Sequence, residues 1–284
     1  MIEFLRQRAF LEFLKESTFA VNEVMIKAWH VTKRNYFSIA TLCFLMFITS
    51  NASGLMAFFL KDVNKGLSTL MALIFVLLYF TINLSLFKYI FHLLDDEDTE
   101  VTIVGTLPTR IQIIRFIVAT LIFSLCIIIA AVFLMPLLYI IDPVLRWMVN
   151  IGWVNSFQSA ADIIIKVAVS IGVMAIFMIW VRISFFPFFI IDKNAKSFES
   201  VKLSLATTKG NFTKILLLLF VLGGVYFLYL FFSYLQWPIV AFIVNMISSF
   251  IIVPLSSVAL TIAYRKMMSE YKGDEHPDII HNIV

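Results

Sequence analysis

Six stretches of this chain, 36–60, 67–90, 111–139, 163–191, 212–235 and 238–264, are apolar almost throughout. A bilayer's hydrocarbon core, about 30 Å thick, is crossed by roughly 20 apolar residues in a helix. Inside lipid every backbone N–H and C=O must be satisfied within its own segment, so each stretch is expected to be helical. Strands of a membrane barrel would alternate over about ten residues instead. The reading is therefore an all-α, polytopic membrane protein with six transmembrane helices.

Composition excludes the competing classes. Hydrophobic residues make up 61% of the 284 and charged residues 14%. Soluble domains run at about 45–50% and about 25%. Two cysteines are too few for a disulfide scaffold, and the net charge of +4 comes with no basic run that would hold nucleic acid. The basic residues follow the positive-inside pattern. With the N-terminus in the cytoplasm, 18 of the 22 lysines and arginines fall on inside segments; only Lys61, Lys65, Arg146 and Lys166 fall outside. Both termini are then cytoplasmic, and the expected location is a bacterial inner membrane.

The ends and loops suggest anchoring pieces. Residues 1–35 mix Glu3, Arg6, Arg8, Glu12, Lys15 and Glu16 with apolar Phe4, Leu5, Leu11, Phe13, Leu14 and Phe19. That pattern reads as a cytoplasmic amphipathic segment at the membrane surface rather than a cleaved signal, with a soluble helix packing on the protein's own loops as the other reading. Residues 36–264 form the spanning domain and 265–284 a polar cytoplasmic tail. The outer connection 142–162 carries Trp147 and Trp153, residues suited to a membrane interface, and is expected to form an interfacial helix or lid. Asp95, Asp96, Glu97, Asp98 and Glu100 cluster after the second span. They have neither the spacing nor the internal glycine of an EF-hand loop, so a solvated acidic turn is the first reading and a divalent cation site the second. Pro136, Pro187 and Pro254 each remove a backbone donor and are expected to kink or break their helices.

The stretch from Arg182 to Lys214 is the most informative. An arginine at mid-membrane costs about 2.5–3.5 kcal/mol on insertion scales. Arg182 is therefore expected at the inner interface, followed by a break at Pro187. Residues 193–210 then read as a short amphipathic helix lying along the inner leaflet. Its helix begins at Ser197, has Glu199 in its first turn and Lys209 in its last, and stops at Gly210. Lys193, Lys196, Lys202, Lys209 and Lys214 give it a basic rim toward anionic lipid, and Asn211 is placed to cap the fifth span.

This stretch carries a family resemblance. Arg182-Ile-Ser-Phe-Phe-Pro-Phe-Phe-Ile-Ile-Asp192, then Ser197-Phe-Glu-Ser-Val-Lys-Leu-Ser204, then Thr208-Lys-Gly-Asn-Phe212 resembles a group of bacterial six-helix membrane proteins. These are related to the membrane domain attached to some glycerophosphodiester phosphodiesterases. The resemblance covers about 35 residues and, loosely, the six-span plan. It implies a membrane domain and not the hydrolase activity, because no phosphodiesterase domain is present in the sequence.

Residues for chemistry are missing from the pattern. Of the histidines, His30 and His92 sit near helix ends and His276 and His281 in the polar tail; Cys43 and Cys126 fall inside spans. No zinc spacing, phosphate loop, dinucleotide fingerprint or nucleophile elbow is found. The deep polar residues, Asn51, Thr81, Asn83, Ser124, Ser170, Asn245 and Ser256, are uncharged and of the kind that joins helices. No inverted repeat relates the two halves. The expectation is a non-enzymatic protein without cofactor or metal that acts by binding. It would be an accessory subunit of a membrane complex, such as translocation or insertion machinery, or a lipid-interacting scaffold. Its expected partners are membrane lipids and a membrane protein, with no nucleic acid. A lipid or small-molecule transporter is the alternative. Arg182, Asp192, Ser204, Lys209 and Asn211 are the binding candidates, with a structural role for all five as the other reading. Arg182 and Asp192 are expected to pair across the break.

Overall fold

The computed structural model describes residues 19–60, 64–95, 103–152 and 157–270. The rest of the N-terminal amphipathic segment, the acidic residues Asp96, Glu97, Asp98 and Glu100, Trp153 of the outer connection, and the tail from 271, including His276 and His281, lie outside the described residues. The described residues are all-helical. We number the helices α1 (Val21–Arg34), α2 (Tyr36–Leu60), α3 (Lys65–Asp95), α4 (Arg110–Asn150), α5 (Phe157–Ile183), α6 (Phe186–Asp192), α7 (Ser197–Thr208), α8 (Phe212–Tyr234), α9 (Pro238–Ile247) and α10 (Val253–Glu270). A 3-10 turn, Ile103–Thr106, precedes α4, and a π-helical turn, Ser248–Ile252, joins α9 to α10. Six helices are long and apolar enough to cross a membrane, the mark of a multi-pass membrane protein.

The spans pair as consecutive antiparallel hairpins: α2 with α3, α4 with α5, and α8 with α9–α10. Burial is very uneven along them. Buried side chains sit at the start of α2 (Ile39, Leu42), the end of α3 (Leu84 to Phe91) and the start of α4 (Phe116, Ala119). They continue at the end of α5 (Val181, Ile183), the start of α8 (Ile215, Leu218) and along α10 (Val258 to Met267). All these positions share one end of the molecule, the end that also gathers most of the lysines and arginines. Toward the opposite end the hairpins expose Phe58, Phe59, Leu73, Ile128, Val173, Phe227 and Phe242. In five spans only 11–18% of the most apolar stretch is buried, against 50% in Val169–Asp192. Side-chain burial is therefore concentrated at the basic end of the bundle.

The prolines act differently at each site. At Pro187 the chain breaks: α5 stops at Ile183, and α6 opens with the proline in its first turn, where a missing N–H costs little. Pro136 does not break α4, which runs on for 41 residues to Asn150. Over 142–162 the described residues divide between the two spans. The first part continues α4, a turn at Gly152 with φ +73° follows, and α5 starts at Phe157. A helix of that length spans about 60 Å, so α4 extends well beyond a 30 Å core. Pro254 cannot donate to the carbonyl of Phe250, one turn back. The π-turn lies just there, and the Tyr36 hydroxyl donates to the Phe250 oxygen at 3.1 Å, giving that carbonyl a donor from another helix.

Helix α1 packs along α10. Val24, Ala28, Val31 and Thr32 recur at helical spacing and form its buried stripe. The amphipathic pattern read for the N-terminal segment thus buries, over this described part, against the protein's own α10.

Candidate functional site

Two places gather polar groups: the buried knot at the basic end and a groove inside the spans. The knot is built on α6 and α7. Every residue from Phe185 to Ile191 is buried, and so are Ser200, Val201 and Leu203 to Thr208. The expected surface helix over 193–210 is present as α7, but protein rather than open leaflet covers most of it. Its serines and threonines make this possible because their hydroxyls return to backbone carbonyls. Thr207 donates to Leu203 at 2.8 Å and Thr208 to Ser204 at 2.8 Å. A buried hydroxyl bonded in this way avoids the cost of an unmet donor.

Arg182 ties α5 to α7 twice. Its guanidinium donates to the Leu205 carbonyl at 3.2 Å, and its own carbonyl accepts from Ser204 Oγ at 2.7 Å and Thr208 Oγ1 at 3.3 Å. The expected pairing with Asp192 is not formed. Asp192 turns instead to α10, where its carboxylate meets Arg265 Nη1 at 3.1 Å and accepts from the Tyr264 hydroxyl at 2.9 Å. The reason is geometric: α6 turns away after the break, and Asp192, at its far end, faces α10. Arg265 is shared with Asp95 at the end of α3, through Nη2 at 2.8 and 2.6 Å from the two carboxylate oxygens. Its guanidinium also lies 4.7 Å from the centre of the Phe91 ring, a cation–π contact. Asp95 is the one described member of the acidic cluster, and here it serves as an ion-pair partner.

Aromatic rings fill the space behind these charges. Tyr264 stacks on Phe188 at 5.3 Å and meets Phe189 and Phe91 edge-on at 5.0 and 5.7 Å. Phe188 also touches Phe87 at 4.6 Å. The link between α6 and α7 is held by α4: Arg115 donates to the Asn194 carbonyl, Gln112 to the Asn194 side-chain oxygen at 3.2 Å, and Ser197 to the Arg115 carbonyl at 2.9 Å. Farther out, Lys266 pairs with Glu23 of α1 at 2.7 Å, and this hydrogen bond and charge lower the Glu23 pKa.

The remaining candidates separate. Ser204 belongs to the knot. Lys209 is exposed at the end of α7, where Gly210 takes φ +82°. Asn211 is buried at the start of α8, and its side chain makes no capping bond to that helix. Asp95, Tyr264 and Arg265 are not among the candidates drawn from sequence, although an arginine directly after the last apolar residue of the final span is a usable signal. Among the described residues no group of three or more histidines, cysteines and carboxylates is placed to hold a metal.

The second place lies between α2, α3 and the π-turn. A cavity of about 210 Å³ is lined by Cys43, Met46, Phe47, Ser50, Asn51, Tyr79, Ser249 and Val253. A neighbouring one of about 180 Å³ shares Ser50 and Tyr79 and adds Thr49, Ser53, Phe75, Val76 and Phe80. No charged side chain lines either. Comparison with family models, curated proteins and solved structures finds no match for the chain.

Proposed function

We propose that this chain is a bacterial inner-membrane protein that acts by binding inside the bilayer, and that lipid is what it binds. The observation that carries the reading is the uneven packing. The three hairpins are locked together at the basic end, while many apolar side chains on their opposite halves are exposed. Helices that met only each other would bury those faces along their whole length; here lipid chains enter between the hairpins. In this reading the positive-inside pattern supports a cytoplasmic side for the knot and for both termini. The resemblance of residues 182–212 to the six-helix membrane domain supports this role, since those residues form the knot. A scaffold beside a larger membrane complex uses the same open faces, with a partner's apolar helix in place of lipid.

The test is extraction in polymer nanodiscs without detergent, followed by mass spectrometry of the intact particle. The reading expects lipid that survives exchange into detergent and leaves only on unfolding. Loss of all lipid on the first detergent exchange, with the chain still folded, would count against it. A stoichiometric protein subunit in place of lipid would favour the scaffold.

A further inference from the structure

Hydroxyls in these spans mostly satisfy themselves. Thr41, Thr81, Ser124 and Ser170 each donate to the carbonyl four residues back, at 2.7, 2.8, 2.9 and 2.8 Å. Ser38, Thr213, Ser233 and Ser248 stand singly without such a bond, whereas the groove between α2, α3 and the π-turn gathers several hydroxyls of this kind. Ser50, Ser53, Tyr79 and Ser249 line it, and none has a hydrogen-bond partner among the described residues. Asn51 donates one amide hydrogen to Phe47 at 2.7 Å, which leaves its side-chain oxygen available as an acceptor.

Depth makes this costly. Ser50 stands fourteen residues after Tyr36 and Tyr79 fourteen after Lys65, each about 21 Å along its helix at 1.5 Å per residue. Both lie far from the helix ends, in the hydrocarbon, where an unmet hydroxyl is penalised. The backbone is also unusual here. The π-turn that carries Ser249 is an element that recurs at functional sites. It is pinned to α2 by the Tyr36 bond to Phe250 and by stacking of Phe44 on Phe250 at 6.1 Å. The wall of the groove is therefore held in place without using the hydroxyls that line it.

We propose that this groove is a binding site for the uncharged polar part of a lipid: a carbonyl or hydroxyl carried on an acyl or prenyl chain. This deepens the lipid-binding reading and rests on it. Ser50, Tyr79 and Ser249 donate to the ligand's oxygen, and Asn51 accepts from its hydroxyl. Met46, Phe47, Phe75, Val76 and Phe80 hold the chain. Absence of any lysine or arginine in the lining selects against a phosphodiester, whose charge would stand at this depth without a counter-ion.

The test uses the full chain in phosphatidylcholine nanodiscs doped with a diazirine-bearing diacylglycerol or, separately, a diazirine-bearing prenol. Cross-links are mapped by mass spectrometry. At least one probe should label peptides containing Ser50, Tyr79 or Ser249 in a saturable way, be competed by its unlabelled parent, and be unaffected by added phosphatidylglycerol. The combined variant Ser50→Ala, Tyr79→Phe, Ser249→Ala should weaken labelling at least tenfold while unfolding at the wild-type temperature. If that variant misfolds, competition on the wild-type chain decides the matter by itself. Labelling by both probes that is unsaturable, or spread evenly over α2, α3 and α8, overturns the groove. Lipid retained elsewhere alongside such labelling would leave the broader reading standing; loss of all lipid would remove both.

Discussion

Replacing Asp192 tests the knot most sharply. Its side chain is 12% exposed and holds two α10 groups, the Arg265 guanidinium at 3.1 Å and the Tyr264 hydroxyl at 2.9 Å. Asp192→Ala leaves Tyr264 with a buried, unmet donor, which costs about 1–3 kcal/mol. It also takes one of two carboxylates from Arg265. Removing one partner of a fully buried pair costs about 3–5 kcal/mol. Arg265 is 34% exposed and keeps Asp95, itself 58% exposed, so solvent and the second partner shrink that part to about 1 kcal/mol. The expected total is about 2–4 kcal/mol. Asp192→Asn, which can still accept from Tyr264, should cost about half as much. The assay is reversible unfolding in mixed micelles, followed by tryptophan fluorescence. A double-mutant cycle with Arg265→Gln should give coupling of about 1 kcal/mol, and the same cycle with Arg182→Gln should give close to none. A cost below about 0.5 kcal/mol for Asp192→Ala, or strong coupling to Arg182, would show that Asp192 does not tie α6 to α10.

Other outcomes follow from single contacts. Ser204→Ala removes the 2.7 Å bond to the Arg182 carbonyl and should destabilise by about 1 kcal/mol, less than the pair Ser204→Ala, Thr208→Val in the same unfolding assay. Gly210→Ala places a side chain at φ +82° in otherwise open space, so its cost of about 1 kcal/mol should be backbone strain alone; Gly210→Asn should recover part of it. Glu23 has its pKa lowered from the ordinary 4.5 by Lys266, so its contribution is present above that value and lost as pH falls below it. Protection of the α1 amides, corrected for intrinsic exchange, should fall as pH drops below about 4.5 in the wild type and show no such step in Glu23→Gln. Pro254→Ala restores a donor facing the Phe250 carbonyl; slow exchange of the amide gained at position 254, together with a weaker effect of Tyr36→Phe, is the expected result.

The spans are legible in the sequence because long apolar runs admit one solution in lipid, and the break before Phe186 because Pro187 fits a first helical turn. Other features are not. The lysines around α7 point to a surface helix, yet Ser200, Ser204, Thr207 and Thr208 are buried because their hydroxyls bond to nearby carbonyls. Sequence spacing registers polarity but not whether that polarity is already met. Along the chain Arg182 is the natural partner for Asp192, whereas folding brings Asp192 to Arg265, 73 positions away. Pro136 carries a local cost that predicts a kink or break, and α4 continues through it. The groove is hidden from sequence because its hydroxyls come from three separate elements, each ordinary alone.

The proposed bundle is sealed at its basic end and open to lipid at the other. Nitroxide scanning in liposomes, with molecular oxygen as the collision probe, tests it directly. Labels at Ile39, Leu84, Ala119, Ile183 and Ala259 should be shielded, and labels at Phe58, Leu73, Ile128, Val173 and Phe227 should all collide freely. Equal shielding at both sets of positions would mean that the hairpins close along their full length, with no opening for lipid.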